Sequence, residues 1–161
     1  MPARNSGMKF SDAGIAWLAK YEGFRSRSYQ DQAGIWTIGY GTISLNGQPV
    51  TEGMEVNQLV ALALMRGNFT DTVAAINRLV IAPITQDQFD ALVSLAYNIG
   101  TGAFAGSTVL KVINSGGRVT EDMFTRWNKV RVNGVLVESN GLELRRRSEY
   151  ERFSGGLTQS A

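Results

Sequence analysis

The sequence contains no cysteine and no histidine. Without cysteine there is no disulfide, no thiolate zinc site and no thiol nucleophile. Without histidine the commonest general base and the commonest metal ligand are both gone, so acid–base chemistry falls to carboxylates, lysine or tyrosine. No metal and no cofactor are expected. Also absent is any run of the roughly 18 apolar residues that a membrane helix requires: the longest uncharged block, around Leu92 to Phe104, is broken by Ser94, Asn98 and Gly100. The start, Met1 to Gly7, has one positive charge and no apolar stretch after it, unlike a secretory signal. A soluble protein is therefore expected, and a substrate outside the cytoplasm would need a route opened by something else. There is no internal repeat and no low-complexity tract.

What is present fits one folded unit. A chain of 161 residues, 43% apolar and 19% charged, is long enough to bury a sizeable core and far from the composition of disordered or fibrous proteins. The expected organisation is a single domain over residues 8–153, with the small polar flanks 1–7 and 154–161 as frayed ends. The net charge of +2 conceals an uneven layout, basic at both ends and acidic in the middle. So small an excess argues against nucleic acid as a partner. Arg145, Arg146 and Arg147 in succession leave two readings open: contact of a basic C-terminal helix with anionic envelope polymers, or a solvated helix face.

Ser11 or Asp12 is a good N-cap, and Ile15, Leu18 and Ala19 follow at helical spacing. Glu22 continues that apolar stripe to the helix end, where Gly23 permits termination. The pattern then changes to Arg25–Tyr29 and Ile35–Thr42, rich in aromatic and β-branched residues, which predicts a small antiparallel sheet. Asp31 to Gly34 form its first turn, and Asn46-Gly47 is a tight turn before a short strand near Pro49 and Val50. Helical periodicity returns from Val56 to Val80, with Gly67 as a point of bending or division. Thr85 and Gln88 make a capping box for a helix over Phe89–Ile99 that is apolar nearly all round. Further helices are expected at about Gly106–Asn114, Thr120–Lys129 and Leu142–Phe153. The fold class is α+β, with a small β lobe over about residues 24–55. The larger helical lobe takes residues 56–153 plus the first helix, and a cleft between the lobes is the expected place for a ligand.

Two carboxylates stand out. Glycoside hydrolysis needs one carboxyl that holds a proton for the leaving oxygen and one that stays ionised to activate water or attack the sugar. Glu22, among Trp17, Tyr21 and Phe24, is placed where desolvation favours its neutral form, whereas Asp31 in a polar turn stays charged. Helix ends and turns also collect solvated acidic residues for ordinary reasons, so the pair alone leaves both readings open.

The surrounding residues narrow the choice. Glu22-Gly23, eight residues between Glu22 and Asp31, and five between Asp31 and Thr37, inside the run Trp36-Thr37-Ile38-Gly39-Tyr40-Gly41, resemble the catalytic segment of the phage-type lysozymes. Gln88 to Gly100, and Gly141-Leu142 followed by Arg145, Arg146 and Glu149, extend the resemblance over about residues 8–153. It implies a lysozyme-like fold and an endolysin that hydrolyses the β-1,4 bond between N-acetylmuramic acid and N-acetylglucosamine. Glu22 would be the proton donor, Asp31 the residue that holds and deprotonates water, and Thr37 its helper. These enzymes invert the anomeric centre, for which the carboxyl groups stand about 6.5–9.5 Å apart. The substrate would be peptidoglycan glycan strands and the enzyme a monomer. It would be made in the host cytoplasm and act in the periplasm after release through a holin. One departure is Thr42, where many members have histidine. Since acid, base and threonine are kept, the change bears on stability rather than catalysis.

The resemblance also places Tyr97 and Asn98 on the cleft wall, where they would meet sugar rings and N-acetyl groups; a core tyrosine and an asparagine satisfying backbone are the alternative roles. Trp36 likewise divides between packing and sugar stacking. Gly39 and Gly41 are not followed by a helix and lysine as a phosphate loop would be, and fit close backbone approach in a hairpin. Ser107 and Thr108 have no histidine to activate them and serve to cap a helix. Two other functions stay in play: a lytic transglycosylase, for which Asp31 and Thr37 would be dispensable, and a wall-binding module without activity.

Overall fold

In the computed structural model, which describes residues 7–158, contacts divide the chain into two units: Ser11–Asp71, and the residues from Thr72 onward together with those up to Phe10.

The first unit begins with α1 (Asp12–Glu22), started by Ser11, whose Oγ accepts from the Gly14 amide at 2.9 Å. Its buried stripe is Gly14, Ile15, Leu18 and Ala19, and Gly23 at φ 70° ends it. An antiparallel hairpin follows, β1 (Arg25–Gln30) with β2 (Trp36–Gly39), in register Tyr29↔Thr37 and Gln30↔Trp36 with a bulge between Arg25 and Tyr29. The segment after the next turn closes on β1 through Ser28: its Oγ donates to the Thr51 carbonyl at 2.8 Å and accepts from the Met54 amide. A second small hairpin, β3 (Ser44–Leu45) with β4 (Gln48–Pro49), turns at Asn46 and Gly47, both at positive φ, as Asn-Gly predicts. Asn57 caps α2 (Gln58–Gly67), which buries Ala61 and Met65.

Helix α2 packs on β2, and Gly39 sets the distance. It sits at φ 64°, and a Cβ there would lie 3.0 Å from the Ala61 Cβ. Gly41 has φ 89° but open space where its Cβ would be. Thus Gly39 is required twice, by backbone conformation and by close approach, while Gly41 is required by conformation alone. The helical stretch does divide at Gly67, whose carbonyl accepts from Thr70 Oγ1, and α3 (Thr70–Leu79) resumes.

The second unit is built around α4 (Gln86–Ile99). Its capping box is formed by Thr85 and Gln88, and all side chains from Gln88 to Ala96 are buried, the all-round burial that its composition predicts. Around it lie α5 (Thr101–Ala105), α6 (Thr108–Asn114, capped by Ser107), α7 (Asp122–Thr125) and α8 (Asn140–Thr158). Phe89, Leu92, Leu95, Phe104, Phe124 and Phe153 form its core, with Phe124 against Tyr150 and Phe153 at ring separations of 6.0 and 5.7 Å. Each such side chain removed from water contributes about 1.5–3 kcal/mol.

Four expectations are corrected. The helix foreseen over Thr120–Lys129 is only the four residues of α7, because a hairpin takes over: β5 (Lys129–Val132) and β6 (Val135–Glu138) turn at Asn133 and Gly134, φ 51° and 80°. Val130, Val132, Val135 and Val137 favour a strand, and Asn-Gly favours the primed turn that matches strand twist. The last helix does not stop at Phe153 but continues to Thr158, since no cap stands after Phe153; residues 1–6 and 159–161 of the foreseen frayed ends lie outside the described residues. The first helix groups with the strands rather than with the helical lobe, because α1 packs on α2 and α2 on β2.

The fourth correction concerns the arginine run. Arg145 and Arg146 are 6% and 0% exposed, and both hold Glu149, itself fully buried. Arg146 grips that carboxylate at both oxygens, 2.7 and 2.8 Å, while Ser94 Oγ donates to it and Arg145 donates to it and to the Ser94 carbonyl. Burial pushes the Glu149 pKa up and the Arg146 pKa down, and each group pulls the other back toward its charged form. Arg147, at the surface, pairs with Glu143, whose pKa is lowered chiefly by the Asn128 amide and then by Arg147. Two of the three arginines are therefore internal ties between α4 and α8, with neither envelope contact nor a solvated face open to them.

Two substitutions test these constraints. Gly39→Ala should destabilise by about 2–3 kcal/mol, strain plus overpacking, and Gly41→Ala by about 1 kcal/mol, strain alone; denaturant unfolding of both measures the difference. Glu149→Ala should cost about 3–5 kcal/mol, because Arg145 and Arg146 are left buried without a counter-charge, while replacing all three charges by apolar side chains (Arg145→Leu, Arg146→Met and Glu149→Leu) should recover most of that loss.

Candidate active site

Glu22, Asp31 and Thr37 all fall within the unit Ser11–Asp71, whereas Tyr97 and Asn98 fall at the end of α4 in the other. Glu22 is the last residue of α1 and is partly buried. The turn that halts the helix, with the Gly23 amide donating to the Ala19 carbonyl at 3.3 Å, feeds the chain two residues later into β1. The helix thus ends at the carboxylate and the strand leads away from it toward Asp31.

Asp31 is exposed in the turn joining β1 to β2 and holds that turn itself. Its Oδ1 accepts from the amides of Ala33 at 2.8 Å and Ile35 at 2.9 Å, and its backbone pairs with Ile35 and Gly34. This is the aspartate turn geometry in which a side-chain oxygen substitutes for a backbone acceptor. Both bonds fall on Oδ1, leaving Oδ2 with no hydrogen-bond partner among the described residues.

Thr37 lies on β2, 5% exposed, and its hydroxyl donates to the Ile35 carbonyl at 2.9 Å. The Ile35 peptide groups therefore join the two residues: its amide holds Asp31 Oδ1, and its carbonyl accepts from both the Asp31 amide and the Thr37 hydroxyl. With the single Thr37 proton engaged, its oxygen is left as an acceptor toward anything that approaches. Sequence reasoning missed Ile35, since its part is played by the backbone and its exposed side chain carries no chemical signal.

Nor did it single out the pair Arg25 and Tyr29 on β1. The Arg25 guanidinium lies over the Tyr29 ring at 4.2 Å, a cation–π contact. Arg and Tyr four apart on a strand would normally lie on one face too far apart to stack; the bulge between them is what shortens the reach, and it has no sequence signature here. Thr42 is buried and accepts from Asn68 Nδ2 at 3.3 Å, while its backbone pairs with Ile38 in both directions. Trp36 is partly buried opposite Gln30.

In the other unit, burial along α4 ends at Ala96, so Tyr97 is partly buried and Asn98 exposed. Asn98 borders a hollow with Ile99, Trp127, Val130, Leu136 and Leu142.

With this geometry in place, the chain can be set beside known proteins. The family model described as Phage lysozyme matches residues 19–149. An endolysin of Acyrthosiphon pisum secondary endosymbiont phage 1 is 39% identical over 150 residues, 91% of this chain and 98% of that one. Among solved structures, an endolysin from Escherichia coli O157:H7 phage FAHEc1 is 42% identical with a TM-score of 0.84, covering 92% of this chain and 94% of that chain. The muramidase domain of SpmX from Asticaccaulis excentricus is 39% identical with a TM-score of 0.80, covering 90% and 97%.

Whatever chemistry Asp31 performs, its Oδ1 is also a structural acceptor. Asp31→Ala should lower stability by about 1–2 kcal/mol through loss of both turn bonds, and Asp31→Asn, which keeps a carbonyl acceptor, by less than about half of that; thermal unfolding of the two variants measures the gap.

Proposed function

The chain belongs to the phage lysozyme family, and from that membership we propose that Glu22, Asp31 and Thr37 carry out an inverting hydrolysis of the β-1,4 bond between N-acetylmuramic acid and N-acetylglucosamine. The protein is an endolysin, an enzyme that hydrolyses peptidoglycan and acts on the cell wall after release from the host cell. The finer assignment rests on one observation: the Ile35 backbone aligns Asp31 and Thr37 so that an acidic oxygen and a hydroxyl oxygen are both left as acceptors.

A water that gives one hydrogen bond to Asp31 Oδ2 and the other to Thr37 Oγ1 has both protons committed and presents a lone pair to the anomeric carbon. As it attacks, the new carbon–oxygen bond forms on one face of the sugar while the glycosidic bond breaks on the other. Asp31 takes the water proton, Glu22 gives its own to the leaving oxygen, and the anomeric configuration inverts. Exchange with solvent then resets both carboxyl groups. Thr37 adds no proton; it fixes where the water stands, which is the contribution that positioning makes to rate. Tyr97 and Asn98 belong to the same proposal as residues that contact sugar rings and N-acetyl groups, since α4 turns from buried to open at that point. The enzyme acts as a monomer, and its route to the periplasm is release through a holin.

Glu22→Gln should retain the fold and lose at least about 10²-fold in turnover, because an amide of nearly the same shape cannot donate the proton; Asp31→Asn should lose a similar factor. Mass spectrometry of digested muropeptides checks the reaction itself. Hydrolysis yields reducing ends, whereas products lighter by one water would assign the chain to transglycosylases, and near-normal turnover of Glu22→Gln would remove Glu22 from the mechanism.

A further inference from the structure

We propose that Arg25, held over the Tyr29 ring, is a specificity-determining residue that binds a carboxylate of the peptidoglycan stem peptide; this rests on the reading of Glu22, Asp31 and Thr37 given above. Three observations carry it. Arg25 is exposed, it has no carboxylate partner among the described residues, and its guanidinium lies over the Tyr29 ring. Exposed Arg66, Arg126 and Arg147 are tied to Asp12, Asp122 and Glu143, whereas Arg25 belongs with the exposed arginines that have no such tie, and its position over an aromatic ring sets it apart from them. A guanidinium stacked on an aromatic face keeps its five N–H donors in a fixed plane pointing outward, which suits two-point recognition of a carboxylate better than a freely rotating side chain.

Its place on the sheet supplies the second argument. Tyr29 and Thr37 are directly opposed in the β1–β2 ladder, so their side chains project from the same face, with Cβ atoms about 4.5–5.5 Å apart. The ring that anchors Arg25 is therefore the cross-strand neighbour of the residue that positions the attacking water. A charge held there meets whatever the sugar at the scissile bond carries.

The chemistry of the substrate completes the case. The amino-sugar backbone of peptidoglycan is neutral, and its negative charge resides in carboxylates of the peptides borne by the muramic acid residues. An unpaired, oriented cation beside the water site has one kind of group on that substrate to recognise. Arg25 thereby distinguishes muramyl residues bearing free peptide carboxylates from those in which they are masked, and acts on binding rather than on the chemical step.

The test uses two soluble glycan preparations that bear stem peptides, one with free carboxylates and one with the same groups amidated, assayed by release of reducing ends. The wild-type enzyme should show a KM about tenfold lower for the free carboxylates, a preference that fades as salt is raised. Arg25→Gln should raise KM on that substrate to the level of the amidated one, leaving kcat on both and KM on the amidated one unchanged. Tyr29→Phe, which keeps the ring, should behave as wild type, and Tyr29→Leu should lose part of the preference. Equal KM values of the wild-type enzyme on the two preparations, or an equal effect of Arg25→Gln on both, overturns the proposal. Failure of the wild-type enzyme to release reducing ends from either would instead overturn the hydrolase reading on which it stands.

Discussion

The amide of Ile35, donating to Asp31 Oδ1, is the interaction on which the site depends. It does two things at once. It closes the turn between β1 and β2, and so sets the register that places Thr37 opposite Tyr29. It also occupies one oxygen of the carboxylate and so leaves Oδ2 as the one without a hydrogen-bond partner among the described residues. A carboxylate on a flexible loop would present either oxygen in many orientations; here the backbone removes that freedom before substrate arrives. The same residue's carbonyl accepts the hydrogen bond from the Thr37 hydroxyl, so two side chains from different parts of the hairpin are oriented by the backbone of a single residue. Because backbone donors do not depend on the side chain at position 35, the arrangement tolerates an exposed isoleucine there.

Much of this was legible in the sequence. Ser11 and Gly23 bracket α1 by capping rules that need no tertiary information, and the stripe Ile15, Leu18, Ala19 leads directly to Glu22. Thr85 and Gln88 announce α4, and its apolar girth announces its burial. What stayed hidden depended on partners distant in sequence or on competition between local preferences. The β5–β6 hairpin was masked by reading helix through Lys129, although Asn133-Gly134 between valine-rich arms is a strong hairpin signal. The bulge that brings Arg25 over Tyr29 has no marker at all, since it arises from how β1 must bend to meet both β2 and the segment around Met54.

The arginine run shows a different limit. Charge patterning treats Arg145, Arg146 and Arg147 as equivalent neighbours, yet on a helix three successive residues point in three directions about 100° apart, as 3.6 residues per turn requires. Two of them face α4 and one faces solvent. Glu149 lies three residues beyond Arg146 and four beyond Arg145, the spacings at which helical side chains meet, so one carboxylate serves both. The spacing was visible, but surface and interior ion pairs share it, and only the packing of α8 on α4 separates them.

That burial changes how the protein can use charge against an anionic wall. The net charge of the whole chain is +2, and the internal cluster of two guanidiniums and one carboxylate accounts for one positive charge of that total. The remainder of the chain is close to neutral, so long-range attraction to envelope polymers is weak and shortened further by salt. Recognition must come instead from individual charges fixed at short range. Among exposed arginines, one stacked on an aromatic ring and free of an acidic neighbour retains its full capacity to bind a carboxylate, because no internal ion pair has to be broken first. The cost of orienting it is met during folding, when β1 bulges and Tyr29 takes its place opposite Thr37. In the function proposed above, selection among substrates and activation of water draw on the same short ladder of residues, and a change in the bend of β1 would alter both together.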